Sequence, residues 1–110
     1  DIQKMVPYVR EELYKKAESE FKYAIRLQMN YPEAHNNLGI LLMRRKDLKG
    51  AEREFGLAVV INPGYANAHK NLGDCYERQG RIEEAKKEWQ SALQINPYHT
   101  AAQQKLQRYN

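Results

Sequence analysis

The chain has 110 residues, of which 42% are hydrophobic and 29% charged, the composition of one folded domain and not of a disordered segment. Eighteen Lys and Arg against fourteen Asp and Glu give a net charge of +4, with the signs mixed along most of the chain as on solvated helix faces. A single cysteine, Cys75, excludes an intramolecular disulfide and any cysteine-built metal site, and no apolar run approaches the roughly 18 residues of a membrane span.

The apolar spacing is helical from end to end. Val6, Val9, Leu13, Tyr14, Ala17, Phe21, Ala24, Ile25 and Leu27 predict one long helix from about Pro7 to Met29, with Pro7 harmless in its first turn. Pro32 opens a second helix whose Ala34, Leu38, Leu41 and Leu42 share a face. After a basic break at Arg44 to Asp47, a third helix carries Leu48, Ala51, Phe55, Ala58, Val59 and Ile61, and Asn62-Pro63-Gly64 ends it. Ala68, Leu72, Cys75 and Tyr76 mark a fourth, with Gly80 as its C-terminal cap. Ile82, Ala85, Trp89, Ala92, Leu93 and Ile95 mark a fifth, stopped by Asn96-Pro97. From Thr100 to Tyr109 a last helix turns Ala101, Ala102 and Leu106 inward and Gln103, Gln104, Gln107 and Arg108 to water. No segment alternates with period two, so no strand is expected.

These helices repeat. Ala34-His35-x-Asn37-Leu38-Gly39 returns 34 residues later as Ala68-His69-x-Asn71-Leu72-Gly73. Arg44, Ala51, Glu54, Ala58 and Ile61-Asn62-Pro63 return as Arg78, Ala85, Glu88, Ala92 and Ile95-Asn96-Pro97. A fixed period of this size marks stacked helix pairs, which cannot bury their apolar faces singly and whose stacks serve as binding surfaces. Small residues (Gly39, Gly73, Ala51, Ala85, Ala58, Ala92) stand where two helices of a pair cross closely. The divisions are a partial repeat over 1–31, full repeats over 32–65 and 66–99, and a capping helix over 100–110. Because Asp1 falls part-way through a repeat, the chain reads as a piece of a longer protein.

The two full units resemble tetratricopeptide repeats, whose signature is W-x2-L-G-x2-Y, then A-x3-F, then P. The first reads His35-x2-Leu38-Gly39-x2-Leu42, Ala51-x3-Phe55, Pro63; the second reads His69-x2-Leu72-Gly73-x2-Tyr76, Ala85-x3-Trp89, Pro97. Ala17-x3-Phe21 with Ala24-Ile25-x-Leu27 fits the second helix of a preceding repeat, but Lys4 and Met5 stand where its Leu-Gly would be. The resemblance implies an all-α, right-handed superhelix of stacked pairs, and a protein or extended peptide as partner in a concave groove lined by the first helices. Transferred to this chain, the groove residues are Asn36, Asn37, Ile40, Met43 and Arg44 from one repeat and Lys70, Asn71, Asp74, Glu77 and Arg78 from the next.

Within that set Asn37 and Asn71 resemble the asparagine ladder in the repeat region of O-linked N-acetylglucosamine transferase. A side-chain amide both donates and accepts, so a pair one repeat apart can grip a peptide backbone irrespective of its sequence. The carboxylate clamp of chaperone cochaperones fits poorly, because its Lys–Asn pair is replaced by Asn36 and Ile40 in one repeat and by Lys70 and Asp74 in the next.

No arrangement of catalytic residues stands out. Ser19 and Ser91 lie in second helices, the aspartates lack a paired setting, and no glycine loop cradles a phosphate, so no enzyme activity and no cofactor are expected. His35 and His69 recur in equivalent places, but on separate helices roughly 8–10 Å apart and with no carboxylate recurring beside them, so packing is expected in place of metal binding. Cys75, between Leu72 and Tyr76, reads as a small buried hydrophobe, and Phe55 and Trp89 as core anchors.

Nucleic acid is the rival partner class, through Arg44-Arg45-Lys46, Lys49, Arg78, Arg81, Lys86 and Lys87. Interleaved Glu52, Glu54, Glu77, Glu83, Glu84 and Glu88 argue against it. The alternative setting for a protein-binding domain is as the recruitment arm of a larger enzyme or of a secretion or assembly apparatus. No membrane insertion is expected, and the default location is the cytoplasm. Because the first long helix lacks a recognisable partner helix, a homodimer through the N-terminal segment is also expected.

Overall fold

The computed structural model describes residues 7–27 and 31–109. Six helices follow one another: α1 (Pro7–Leu27), α2 (Pro32–Arg44), α3 (Leu48–Ile61), α4 (Ala66–Arg78), α5 (Ile82–Ile95) and α6 (Thr100–Arg108). Val6 and Met29, assigned above to the first helix, lie outside the described residues, and of Ile25 and Leu27 only the backbone is described.

The helix boundaries follow from local chemistry. Pro32 sits in the first turn of α2, where its missing N–H leaves no bond unmade. Asp47 caps α3, its carboxylate accepting from the Gly50 N–H at 3.0 Å. Each first helix of a full repeat ends alike: Asp47 N–H donates to the Leu42 carbonyl at 2.8 Å, and Arg81 N–H to the Tyr76 carbonyl at 2.9 Å. These bonds need a left-handed residue one position earlier, which is Gly80 at φ +78° in one repeat and Lys46 at φ +67° in the other. The recurring Asn-Pro turns are also explained: Asn62 Oδ1 accepts from Gly64 N–H and Asn96 Oδ1 from Tyr98 N–H, each at 3.1 Å.

Packing repeats with the sequence. A Cβ added at Gly39 would lie 2.5 Å from the Phe55 ring, and one at Gly73 would lie 2.5 Å from the Trp89 indole. The first helix of each pair thus rests its backbone directly on the aromatic anchor of the second. Phe55, Trp89, Ala51, Ala85, Ala58 and Ala92 are completely buried. One apolar cluster joins Tyr14, Leu38, Leu41, Leu42, Phe55, Leu72 and Cys75 across α1 to α4; a second joins Ala85, Trp89, Ala92 and Ala102 across α5 and α6. Cys75 is fully buried, its thiol 3.2 Å from the Leu48 carbonyl oxygen, and burial pushes its pKa up.

Candidate functional site

The candidate residues all come from α2 and α4, which lie parallel and in register. Asn71 on α4 donates to Asn36 Oδ1 on α2 at 3.0 Å, and seven residues further along Arg78 Nη1 lies 3.4 Å from the Met43 carbonyl. Asn36 is buried, and its own amide donates to the Tyr65 hydroxyl at 3.3 Å. It joins two helices instead of facing outward. Asn37, Arg44 and Arg78 are exposed, and Ile40 and Met43 are half-buried against the first cluster. Asn71 is half-buried, with its amide nitrogen committed to Asn36.

The acidic members of the set are held from within. Asp74 receives the Trp89 indole N–H at 3.1 Å and pairs with Lys70 at 2.6 Å. Glu77 pairs with Lys105 at 2.7 Å and accepts from the Tyr109 hydroxyl at 2.5 Å. Burial raises the Glu77 carboxyl, but these two donors outweigh it and leave the group below its ordinary range. The same bond to Glu77 raises the Tyr109 phenol. Lys70, Asp74 and Glu77 are therefore part of the frame, with α6 as their clamp.

Three features escape a residue-by-residue reading of the sequence. First, a carboxylate does recur beside the histidines: His35 Nδ1 lies 2.9 Å from Glu54 Oε1 and His69 Nδ1 lies 2.8 Å from Glu88 Oε1. Each pair ties the first helix of a repeat to its second, and Glu54 and Glu88 are themselves one period apart, which was the available signal. Among the described residues no group of three or more His, Cys, Asp or Glu gathers as a metal site would require. Second, α6 occupies the phase of a further first helix: Ala102 and Leu106 stand one period after Ala68 and Leu72, and Lys105 stands where Asn37 and Asn71 do. Third, two arginines of the basic turns are each held by two carboxylates. Arg45 is held by Glu11 and Glu18, and Arg81 by Glu52 and Glu84 at 2.8 and 2.7 Å.

Comparison with protein families agrees with this geometry. Tetratricopeptide repeat profiles match residues 8–66 and residues 66–99. The chain belongs to the tetratricopeptide repeat family. No curated protein matches its sequence. Among solved structures, YrrB, described as a tetratricopeptide repeat protein with an unusual peptide-binding site, is 28% identical with a TM-score of 0.81. That match covers 90% of this chain and 51% of the YrrB chain, so this chain spans about half the length of that relative. The first tetratricopeptide repeat domain of Spaghetti (RPAP3), bound to the HSP90 peptide SRMEEVD, is 25% identical with a TM-score of 0.84, covering 92% of this chain and 80% of that one. The OM64 repeat domain of Arabidopsis, 21% identical with a TM-score of 0.84 over 91% of this chain and 83% of that one, shares the fold. The protein is thus an all-α tetratricopeptide repeat solenoid of a kind built for protein interaction. No described helix is long and apolar enough to cross a membrane.

Proposed function

We propose that this repeat domain is a non-catalytic scaffold that binds another protein by taking an extended segment along its first helices. The observation that carries the reading is the division of labour on α2 and α4. Their packing faces are consumed by α1, α3, α5 and each other, while Asn37, Arg44 and Arg78 face solvent beside half-exposed Ile40 and Met43. Such a surface offers amide and guanidinium hydrogen bonds with two apolar contacts between them, which suits a peptide backbone with an occasional aliphatic side chain. Asn71 contributes its carbonyl oxygen, its nitrogen being used by Asn36. The HSP90 peptide bound to the Spaghetti domain and the peptide-binding site ascribed to YrrB support a peptide as the kind of ligand. As a recruitment arm of a larger enzyme or assembly apparatus, the domain would use this same surface.

Selection from a random-peptide library, followed by calorimetry on the selected sequence, tests the reading. Each lost hydrogen bond costs about 0.5–1.5 kcal/mol, so Asn37→Ala combined with Asn71→Ala should weaken binding about tenfold with the fold intact. Unchanged affinity in the double variant, or failure to select any peptide, contradicts it. Affinity that collapses with added salt for single-stranded nucleic acid, and no affinity for peptide, would favour the rival class.

A further inference from the structure

The outer side of α3 departs from the repeat. Leu57 and Val60 are 44% and 75% exposed, so the core does not account for them. One period on, α5 has Ser91 and Gln94 in their places, and one period back the sequence has Tyr23 and Arg26. Gly56 departs in the same way, since its equivalents are Lys22 and Gln90. It is helical, and a Cβ added there would meet no atom within 4 Å, unlike one at Gly39 or Gly73. A glycine inside a helix weakens it, and nothing in the chain's own packing requires this one. Together with Arg53 these residues follow the spacing i, i+3, i+4, i+7 and form one stripe along about two turns. The stripe borders a hollow of about 430 Å³ that Tyr76 of α4 also lines.

We infer that this stripe docks an acidic amphipathic helix of a partner protein, whose backbone crosses α3 at Gly56. The chain makes the same kind of contact twice within itself, where Gly39 and Gly73 let a helix lie directly on its neighbour. Gly56 leaves such room on the outside, and Leu57 and Val60 give the crossing helix its apolar contact. The charges fix the sign of the partner. Every glutamate of α3 and α5 is already paired: Glu52 with Arg81 and Lys49, Glu83 with Lys86, Glu84 with Arg81, and Glu54 and Glu88 with the two histidines. Arg53, and Lys87 one period on in α5, are exposed and in no ion pair among the described residues. A docking helix therefore meets two free cations and no free carboxylate, and carboxylates flanking its own aliphatic face complete the contact. A second copy of this chain fits badly. A twofold contact through the stripe would bring the cations of both copies together without a free acid, and four residues are few against the roughly 20–30 a side of a stable interface. The inference does not rest on groove binding, as none of these residues belongs to the surface of α2 and α4 described above.

The probe is a displayed library of bridged helical peptides of about 18 residues, randomised on one face and selected against the full chain, the bridge removing the cost of helix formation. Selected helices should carry Leu or Ile on that face with Asp or Glu beside it, and calorimetry should show saturable binding. Gly56→Gln and Val60→Glu should each weaken that binding by about tenfold or more, and Arg53→Glu severalfold. The variant combining Asn37→Ala and Asn71→Ala should bind the selected helix with unchanged affinity. Gly56→Gln should also melt no lower than the unsubstituted chain, which separates lost docking from lost folding. Failure to select any helix, selection of helices rich in Lys or Arg, or full affinity in Gly56→Gln or in Val60→Glu would overturn the inference. So would weakened binding in the double asparagine variant, or a lowered melting temperature in Gly56→Gln, which would give that glycine a role in the chain's own packing. A dimer in light scattering without peptide, dissociated by Val60→Glu, would overturn it also and assign the stripe to a second copy.

Discussion

Gly39 and Gly73 are the residues on which the rest of the packing depends. Each lets a helix backbone lie on an aromatic ring at a distance that no Cβ can share. Gly73→Ala should therefore destabilise the fold by about 1–3 kcal/mol, the usual cost of overpacking a filled core, as read from urea denaturation. Lys46 is the opposite case, a side chain held at φ +67° where the next repeat has Gly80. The left-handed region costs a non-glycine residue about 1–2 kcal/mol, partly offset by the extra freedom of an unfolded glycine. Lys46→Gly should accordingly stabilise the protein by about 0.5–1 kcal/mol. A fall in its thermal midpoint would show that the Lys46 side chain makes a compensating contact. Gly39 and Gly73 were legible in the sequence because they recur one period apart, and Gly80 because a glycine after the last apolar position of a helix marks its C-terminal cap. The inward turn of Asn36 was not, because a helix position adjacent to Asn37 can point either into the seam or out of it until the neighbouring helix is placed.

At the scale of elements, α6 does more than close the stack with a polar face. Its Lys105 and the following Tyr109 converge on Glu77 of α4, and Tyr109 stacks on Trp89 of α5 with ring centres 5.8 Å apart. Because the folded state holds Glu77 below its ordinary carboxylate range, that contribution is complete above the unfolded value of about 4.5 and fades as pH falls through the lower folded value. Trp89 is the only tryptophan, so its fluorescence reports this corner alone. Acidification below about pH 4.5 should loosen α6 and change the Trp89 emission, and Glu77→Gln should remove that acid limb; an identical acid transition in the variant would locate the pH dependence elsewhere. The helix positions, the break at Gly80 and the capping place of α6 could all be read from apolar spacing. The ion cluster could not, since Glu77 and Lys105 come together only once α4 and α6 are set side by side. α1 runs unbroken from Pro7 because Arg10-Glu11-Glu12-Leu13, where the next repeat turns at Arg44–Asp47, are all good helix formers with no glycine or capping residue among them.

At the scale of the whole molecule, a 34-residue period produces a body of 40 × 31 × 23 Å in which equivalent residues make equivalent contacts. His35–Glu54 and His69–Glu88 are one pair written twice, as are the Asx turns at Asn62 and Asn96. The architecture was legible for that reason. The identity of the binding surface was only partly so, because sequence assigns residues to the first helices but does not tell which of them the chain uses on itself. Lys70, Asp74 and Glu77 are so used; Asn37, Ile40, Met43, Arg44 and Arg78 remain accessible.

The central claim, that the protein acts by binding a polypeptide along α2 and α4, is tested most directly by nuclear magnetic resonance. A library-selected peptide should be titrated into the isotopically labelled protein while the backbone amide shifts are followed. The account predicts saturable changes centred on Asn37, Ile40, Met43, Arg44, Asn71 and Arg78, with α3 and α5 nearly silent. Changes centred on the opposite helices, around Leu57, Val60 and the exposed side of α5, would contradict it.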